Sequence, residues 1–216
     1  MAMKLVSVNA GLPKEVTWNG KPVTTSIWKE PVDGPVRVAT LNIAGDRQAD
    51  LSVHGGDDKA VYVYPSEHYG YWRRELPGAE LPWGAFGENF TTEGISEEFR
   101  IGDRLRIGSA EFAITQPRMP CYKLAIRFGR ADMVKRFLKS GRTGFYLAVT
   151  REGEVSAGDS IHLDPRPGDS LSVADIVRLY AADSGNQELL GRAARLAGLP
   201  ESWKEYFRKR LWEPDK

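Results

Sequence analysis

Short segments rich in β-branched and aromatic residues, many closed off by glycine turns, fill the first two thirds of the chain and constrain its fold most. Lys4–Ala10, Val23–Trp28, Val36–Asn42, Lys59–Tyr64, Arg104–Ile107, Glu111–Thr115, Phe145–Thr150 and Ser160–Leu163 share this character. Turns such as Gly55-Gly56, Gly102-Asp103 and Gly158-Asp159 separate many of them. These residue types suit a pleated, half-buried surface. Many short strands with regular turns predict a mainly β fold, a barrel or sandwich, rather than a parallel α/β sheet.

Three helices interrupt the strands. Pro65–Leu76 opens with a proline at the first helical position and closes before Pro77. Cys121–Phe128 follows Pro120, and Ala131–Lys139 stops at Ser140-Gly141. Composition then changes after Asp164-Pro165-Arg166-Pro167-Gly168-Asp169, a predicted linker between a domain over 1–165 and a unit over 169–216. In that unit Ser172 is placed to cap Val173–Ala182 and Asn186 to cap Gln187–Ala197, with Ser202–Leu211 as the third helix. Ile176, Leu179, Leu189, Leu190, Leu196, Leu199, Trp203 and Phe207 supply a shared core for three helices.

The chain is 216 residues long, 41% hydrophobic and 27% charged, with a net charge of +1, which is ordinary for a soluble globular protein. A single cysteine excludes an intrachain disulfide and suits a reducing cytoplasm. The N-terminal run lacks the apolar core of a signal peptide, and no stretch reaches the roughly 18–20 apolar residues of a membrane span. The expected setting is therefore cytoplasmic, away from the membrane.

The charge is unevenly placed. From Gln116 to Arg142 eight cations face one anion, Asp132, in a chain that is nearly neutral overall. Lys135, Arg136 and Lys139 read as a solvated helix face. Arg118, Lys123 and Arg127 differ, because Lys123 and Arg127 are four apart on one helical face and Arg118 lies in the turn before it. An anion between them would relieve their repulsion, and arginine suits a phosphate-like group. Cys121 stands among these cations between stiffening prolines. A buried structural thiol, a nucleophile and a soft-metal ligand are all compatible with that position, and spacing alone does not separate them. The loop His54-Gly55-Gly56-Asp57-Asp58-Lys59 matches neither nucleotide-binding glycine pattern. The turn Gly84-Ala85-Phe86-Gly87-Glu88-Asn89-Phe90-Thr91 is expected to bring Asn89 near a ligand's polar edge. His54, His68 and His162 are scattered and, with one cysteine, show no zinc spacing.

Several of these stretches together resemble the MOSC domain, the molybdenum-cofactor sulfurase C-terminal type. The resemblance is carried by His54-Gly55-Gly56-Asp57-Asp58-Lys59-Ala60-Val61-Tyr62-Val63-Tyr64, by Gly87-Glu88-Asn89-Phe90 and by Gln116-Pro117-Arg118-Met119-Pro120-Cys121-Tyr122-Lys123-Leu124. Gly144-Phe145-Tyr146-Leu147-Ala148-Val149 and Gly158-Asp159-Ser160-Ile161 agree with it. The tail resembles the three-helix appendage of the YiiM branch. The resemblance implies a MOSC-type β-barrel that binds molybdenum cofactor, with Cys121 as metal ligand and central catalytic residue. It also implies that Lys59, Asn89, Arg118, Lys123, Arg127 and Arg142 lie against the pterin and its phosphate. The implied activity is reduction of N-hydroxylated small molecules, such as hydroxylaminopurine base analogues, to amines. Electrons would come from a separate flavoprotein. The alternative is a carrier of cofactor or sulfur on Cys121 without turnover. A nucleic-acid role is disfavoured, since residues 169–216 hold eight cations and eight anions. The helical tail is expected to shape the substrate mouth or a homodimer contact.

Overall fold

Val61–Pro65 forms a strand (β7) that is buried along its whole length, because its alternate side chains enter two different cores. Val61 and Val63 join one cluster with Leu5, Val8, Phe90, Phe112 and Phe145. Tyr62 and Tyr64 point the other way, into an aromatic cluster with Tyr69, Trp72, Phe86 and Phe137. The computed structural model describes residues 2–50, 55–164, 168 and 170–212.

Before β7 come β1 (Lys4–Ala10), β2 (Lys14–Trp18), β3 (Lys21–Thr25), β4 (Glu30–Pro31), β5 (Val36–Ala39) and β6 (Asn42–Ile43). After it follow α1 (Glu67–Glu75), β8 (Phe90–Glu93), β9 (Arg104–Ile107), β10 (Ala110–Pro117), α2 (Tyr122–Phe128) and α3 (Met133–Ser140). The remainder is β11 (Phe145–Arg151), β12 (Gly153–Val155), β13 (Ile161–Asp164), α4 (Val173–Ala181), α5 (Gln187–Ala193) and α6 (Glu201–Trp212).

The main sheet has the order β13-β9-β10-β11-β7-β8-β1-β4. Its neighbours are antiparallel except β7 and β8, which run parallel and are joined through α1. The sheet curls until its ends meet. Leu5 N donates to Asp159 O at 2.9 Å, Gly158 N to Leu5 O at 2.7 Å and Ile161 N to Met3 O at 2.9 Å. These bonds join β1 to the residues at the start of β13 and make the sheet barrel-like, while β4 continues along β1 at Asn9 and Ala10. A bulge between Leu5 and Ser7 shifts the register of β1, which lets Leu5 and Val8 reach the same core.

Several predicted boundaries move for identifiable reasons. Val23–Trp28 is not one strand. Asn19 and Gly20, both at positive φ, form a tight turn that pairs β2 with β3, and the strand ends at Thr25. Pro65 closes β7, opposite Thr92, instead of opening α1. Lys59 lies in a short 3-10 turn, Asp57–Lys59, ahead of the strand assigned to it. The predicted linker is largely outside the described residues, as is His54.

The C-terminal helices form as their capping signals indicate. Ser172 and Asp175 make a reciprocal capping box at α4, and Asn186 accepts from Leu189 N at 3.1 Å at α5. Their apolar faces do not form a separate core. Ile176, Leu179, Leu190, Leu196, Leu199, Trp203 and Phe207 belong to the same cluster as the barrel interior, with Leu189 packed beside it. Trp203 Nε1 donates to Gln116 Oε1 at 2.8 Å, which ties α6 to the end of β10.

Candidate active site

The segment that leaves β10 builds one wall of a cleft. Thr115 is the extra residue of a bulge opposite β11, and its Oγ1 bonds Asp58 O at 2.7 Å and Tyr146 O at 3.1 Å. Pairing with β11 resumes at Gln116 and Pro117, and Arg118 N then donates to Gly144 O at 3.2 Å. Cys121 is the N-cap of α2, with φ −119° and ψ 173°, rather than the helical residue that the sequence predicts. Its carbonyl accepts from Leu124 N at 2.9 Å, while the extended backbone keeps its half-buried side chain outside the helical ladder.

The cleft is open to solvent. Cys121, Lys59, Asn89, Arg118 and Lys123, all singled out in the sequence, line it together. Arg127 and Arg142 are not among the lining residues. Arg127 lies over Trp28 and Phe128, with ring centroids 5.9 and 5.7 Å away. Arg142 lies 4.1 Å over Tyr71 and donates to Ser140 O at 3.0 Å, in a separate groove beside His68 and Arg74.

Arg118 is the electrostatic centre of the cleft. It is 6% exposed, and its guanidinium sits 5.3 Å over Tyr62 and 5.0 Å over Phe137. Burial works against its charge, and Tyr62, Tyr146 and Cys121 pull its pKa above the usual value only in their ionised forms, so the burial cost stands while they are neutral. Among the described residues its Nη1 has no hydrogen-bond partner, and neither has the buried Oγ of Ser26, another lining residue. A buried guanidinium with one nitrogen unsatisfied is costly, so the arrangement is suited to a ligand that brings an anionic acceptor. Lys59 is half-buried, and burial lowers its pKa against the pull of Asp58.

Asn89 has a different job from the one its position suggested. Its Oδ1 accepts from Tyr62 N at 3.1 Å and its Nδ2 donates to Asp46 Oδ2 at 2.9 Å, so its amide is committed inside the protein. Asp46 also accepts from Gly11 N at 2.9 Å and forms an ion pair with Lys29. Lys29 and Asp46 both line the cleft, and sequence reasoning missed them. Each lies in an irregular segment beside a residue of opposite charge, Glu30 or Arg47, and a pair 17 positions apart has no local signature. Burial lowers the Lys29 pKa, against the attraction of Asp46 and Glu88.

Two buried carboxylates brace the region. Glu88 accepts from Tyr69 OH, Gly84 N, Phe86 N and Thr91 Oγ1, fixing the loop before β8, and burial pushes its pKa up. Glu97 holds His68 Nε2 at 2.9 Å and accepts from Gly144 N at 2.7 Å. Burial raises the Glu97 carboxyl, but these partners win and hold it below its ordinary value. A depressed carboxylate stabilises the fold fully above the unfolded value, and that contribution is lost as pH falls through the folded value. Acid unfolding of Glu97→Gln is therefore expected to depend less steeply on pH than that of the wild type below the ordinary glutamate range. Urea midpoints measured against pH check this, and equal slopes would remove Glu97 from the account.

Among the described residues, no group of three His, Cys, Asp or Glu side chains is placed to hold a metal ion, and no helix is long and apolar enough to cross a membrane. Residues 50–162 match the MOSC domain, and residues 171–212 match the YiiM-like 3-alpha helix domain. The chain belongs to the MOSC family. Within it, the chain is 42% identical over 207 residues to uncharacterized protein YflK of Bacillus subtilis, covering 95% of this chain and 93% of that protein. It is 38% identical over 194 residues to protein YiiM of Escherichia coli, covering 88% and 85%. A Gibberella moniliformis protein named reductase is 35% identical over 196 residues, covering 89% of this chain and 35% of that longer protein. The crystal structure of YiiM from Geobacillus stearothermophilus superposes with a TM-score of 0.81 at 37% identity, covering 97% of this chain and 99% of that one. These relatives place the chain in the YiiM branch of the MOSC family.

Proposed function

We propose that the cleft binds a molybdenum cofactor through Cys121 and that the protein reduces N-hydroxylated small molecules to amines. The observation that carries the reading is Arg118, a buried cation with an unpartnered Nη1 in the same cleft as the single cysteine. A thiolate suits a soft or high-valent metal, and an unsatisfied guanidinium suits the anionic part of a pterin cofactor. The donor set therefore fits the group. An oxidoreductase role is also supported by the relative named reductase.

When bound, the cofactor would supply the two-electron couple that breaks the N–O bond of the substrate. The protein supplies the rest. Cys121 is its metal ligand, and Arg118, Lys59 and Lys123 hold the anionic portion. Ile27 and Met119 contribute apolar surface to the lining. Electrons come from a separate flavoprotein.

The test is to prepare wild type and Cys121→Ser in a cofactor-competent host and measure molybdenum, pterin and reduction of a hydroxylaminopurine with an artificial electron donor. Wild type is expected to carry molybdenum and turn over, and Cys121→Ser to lose nearly all the metal. Full metal retention in the variant would refute the ligand assignment. A fully loaded wild type without turnover would favour a carrier of cofactor or sulfur.

A further inference from the structure

We infer that Lys29, held on Asp46, is the residue that delivers a proton to the substrate in this cleft. The inference rests on the reductase reading. Reduction of an N-hydroxylated compound breaks one N–O bond and consumes two electrons and two protons. One proton ends on nitrogen and one on oxygen, giving an amine and water. The flavoprotein donor accounts for the electrons. A leaving oxygen without a proton would depart as hydroxide, so a positioned acid lowers the barrier.

The geometry singles out Lys29. Its side chain is 8% exposed and that of Asp46 1%, yet both line the cleft that holds Cys121. Asp46 accepts from Gly11 N, Asn89 Nδ2 and Lys29 Nζ, so the carboxylate that holds the ammonium is itself anchored by two further donors. The backbone at Lys29 is clamped as well. Gly84 lies at φ +87°, and a Cβ there would be 2.6 Å from Lys29 O. Only glycine permits so close an approach at that φ, and the loop of Gly84 is in turn fixed by Glu88.

The other titratable groups of the cleft serve less well. Tyr62 OH is spent on Thr143 O at 2.8 Å, and burial raises Tyr146, making it a weaker acid. Cys121 is the metal ligand, and Arg118 does not release its proton at working pH. Lys59 is only half-buried and sits on a short turn, and among the described residues no carboxylate pairs with Lys123 as Asp46 does with Lys29. Asp46 and Glu88 are the anions acting on Lys29, and burial outweighs their pull, which makes its ammonium a better acid than a surface lysine.

Two measurements test this. In cofactor-free protein with labelled lysine side chains, NMR is expected to show Lys29 losing its proton at lower pH than the exposed lysines, and at lower pH still in Asp46→Asn. Titration together with the exposed lysines would overturn the proposal. In loaded protein, Lys29→Arg keeps the charge but holds its proton. It is expected to retain molybdenum while turnover falls on the order of 100-fold or more. The wild type should lose activity as pH rises through the Lys29 value, and the variant should lack that alkaline limb. An active wild type with an equally active Lys29→Arg sinks the proton role alone, and an inactive loaded wild type sinks the reductase reading beneath it. Loss of molybdenum from Lys29→Arg would make Lys29 an anion holder and also overturn the proposal.

Discussion

Gly144→Ala is expected to destabilise the protein by on the order of 3 kcal/mol or more, adding the left-handed backbone penalty to that of a crowded core. Gly144 sits at φ +62°, and a Cβ there would lie 2.2 Å from Val63 O and 2.9 Å from the rings of both Tyr62 and Tyr64. None of these can yield cheaply, since Val63 O belongs to the backbone and Tyr64 is fully buried. The same residue donates to Glu97 and accepts from Arg118 N, so its displacement would also disturb the wall of the cleft. Gly141→Ala is the control. Gly141 has φ +67°, but nothing lies within 4 Å of its added Cβ, so only the backbone penalty of about 1–2 kcal/mol remains. Urea unfolding of both variants separates the two costs. Equal losses would mean that the crowding at Gly144 relaxes.

Why Gly144 matters so much was hidden in the sequence, although the strand after it was not. Phe145–Arg151 is read easily because its β-branched and aromatic residues act locally. The contact of Gly144 with Val63 joins positions far apart in the chain. The same division holds across the site. Cys121, Arg118 and Lys123 share one segment and were legible as a group, because charge and a rare residue type coincide there. Lys29 and Asp46 come from separate loops and were not. Arg142 was drawn in by its nearness in sequence to that basic segment. The fold instead carries it past α3 to Tyr71, outside the cleft lining. The Asn19-Gly20 turn is a local signal that the sequence did contain, and it points to a hairpin of Lys14–Trp18 with Lys21–Thr25 in place of a lone strand over Val23–Trp28.

The helical tail shows how a unit with its own sequence signature can be energetically part of the barrel. Val173, Ile176, Leu179 and Phe207 are fully buried in the barrel's own cluster. At about 1.5–3 kcal/mol for each such side chain, removing the tail would expose a large share of the driving force. The tail also bears on the site. Gln116 accepts from Trp203 and donates to Asp58 O at 3.3 Å, so one amide joins α6, the end of β10 and the turn carrying Lys59. Cleft geometry and helical packing are therefore one mechanical unit, with Arg118 at its centre.

Arg118→Met is expected to stabilise the cofactor-free protein and to weaken cofactor binding, two effects of opposite sign from one side chain. In the cofactor-free state Arg118 carries the cost of a buried charge, several kcal/mol. Its Nη1 is unpartnered, and the groups acting on its charge are tyrosines and Cys121 rather than a carboxylate. Contacts with Tyr62 and Phe137 return about 1–2 kcal/mol of that cost. Methionine fills a similar volume between those rings without a charge, so a net gain of about 1–2 kcal/mol is expected. With cofactor bound the balance reverses. Loss of a buried, charge-assisted contact to an anion costs about 2–5 kcal/mol, which lowers affinity by a factor of about 30 or more. Urea midpoints of cofactor-free and loaded protein should therefore move in opposite directions in the variant, alongside a fall in molybdenum content. A cofactor-free variant less stable than wild type would mean that Arg118 serves the fold first, and that its unpartnered nitrogen is not an anion site.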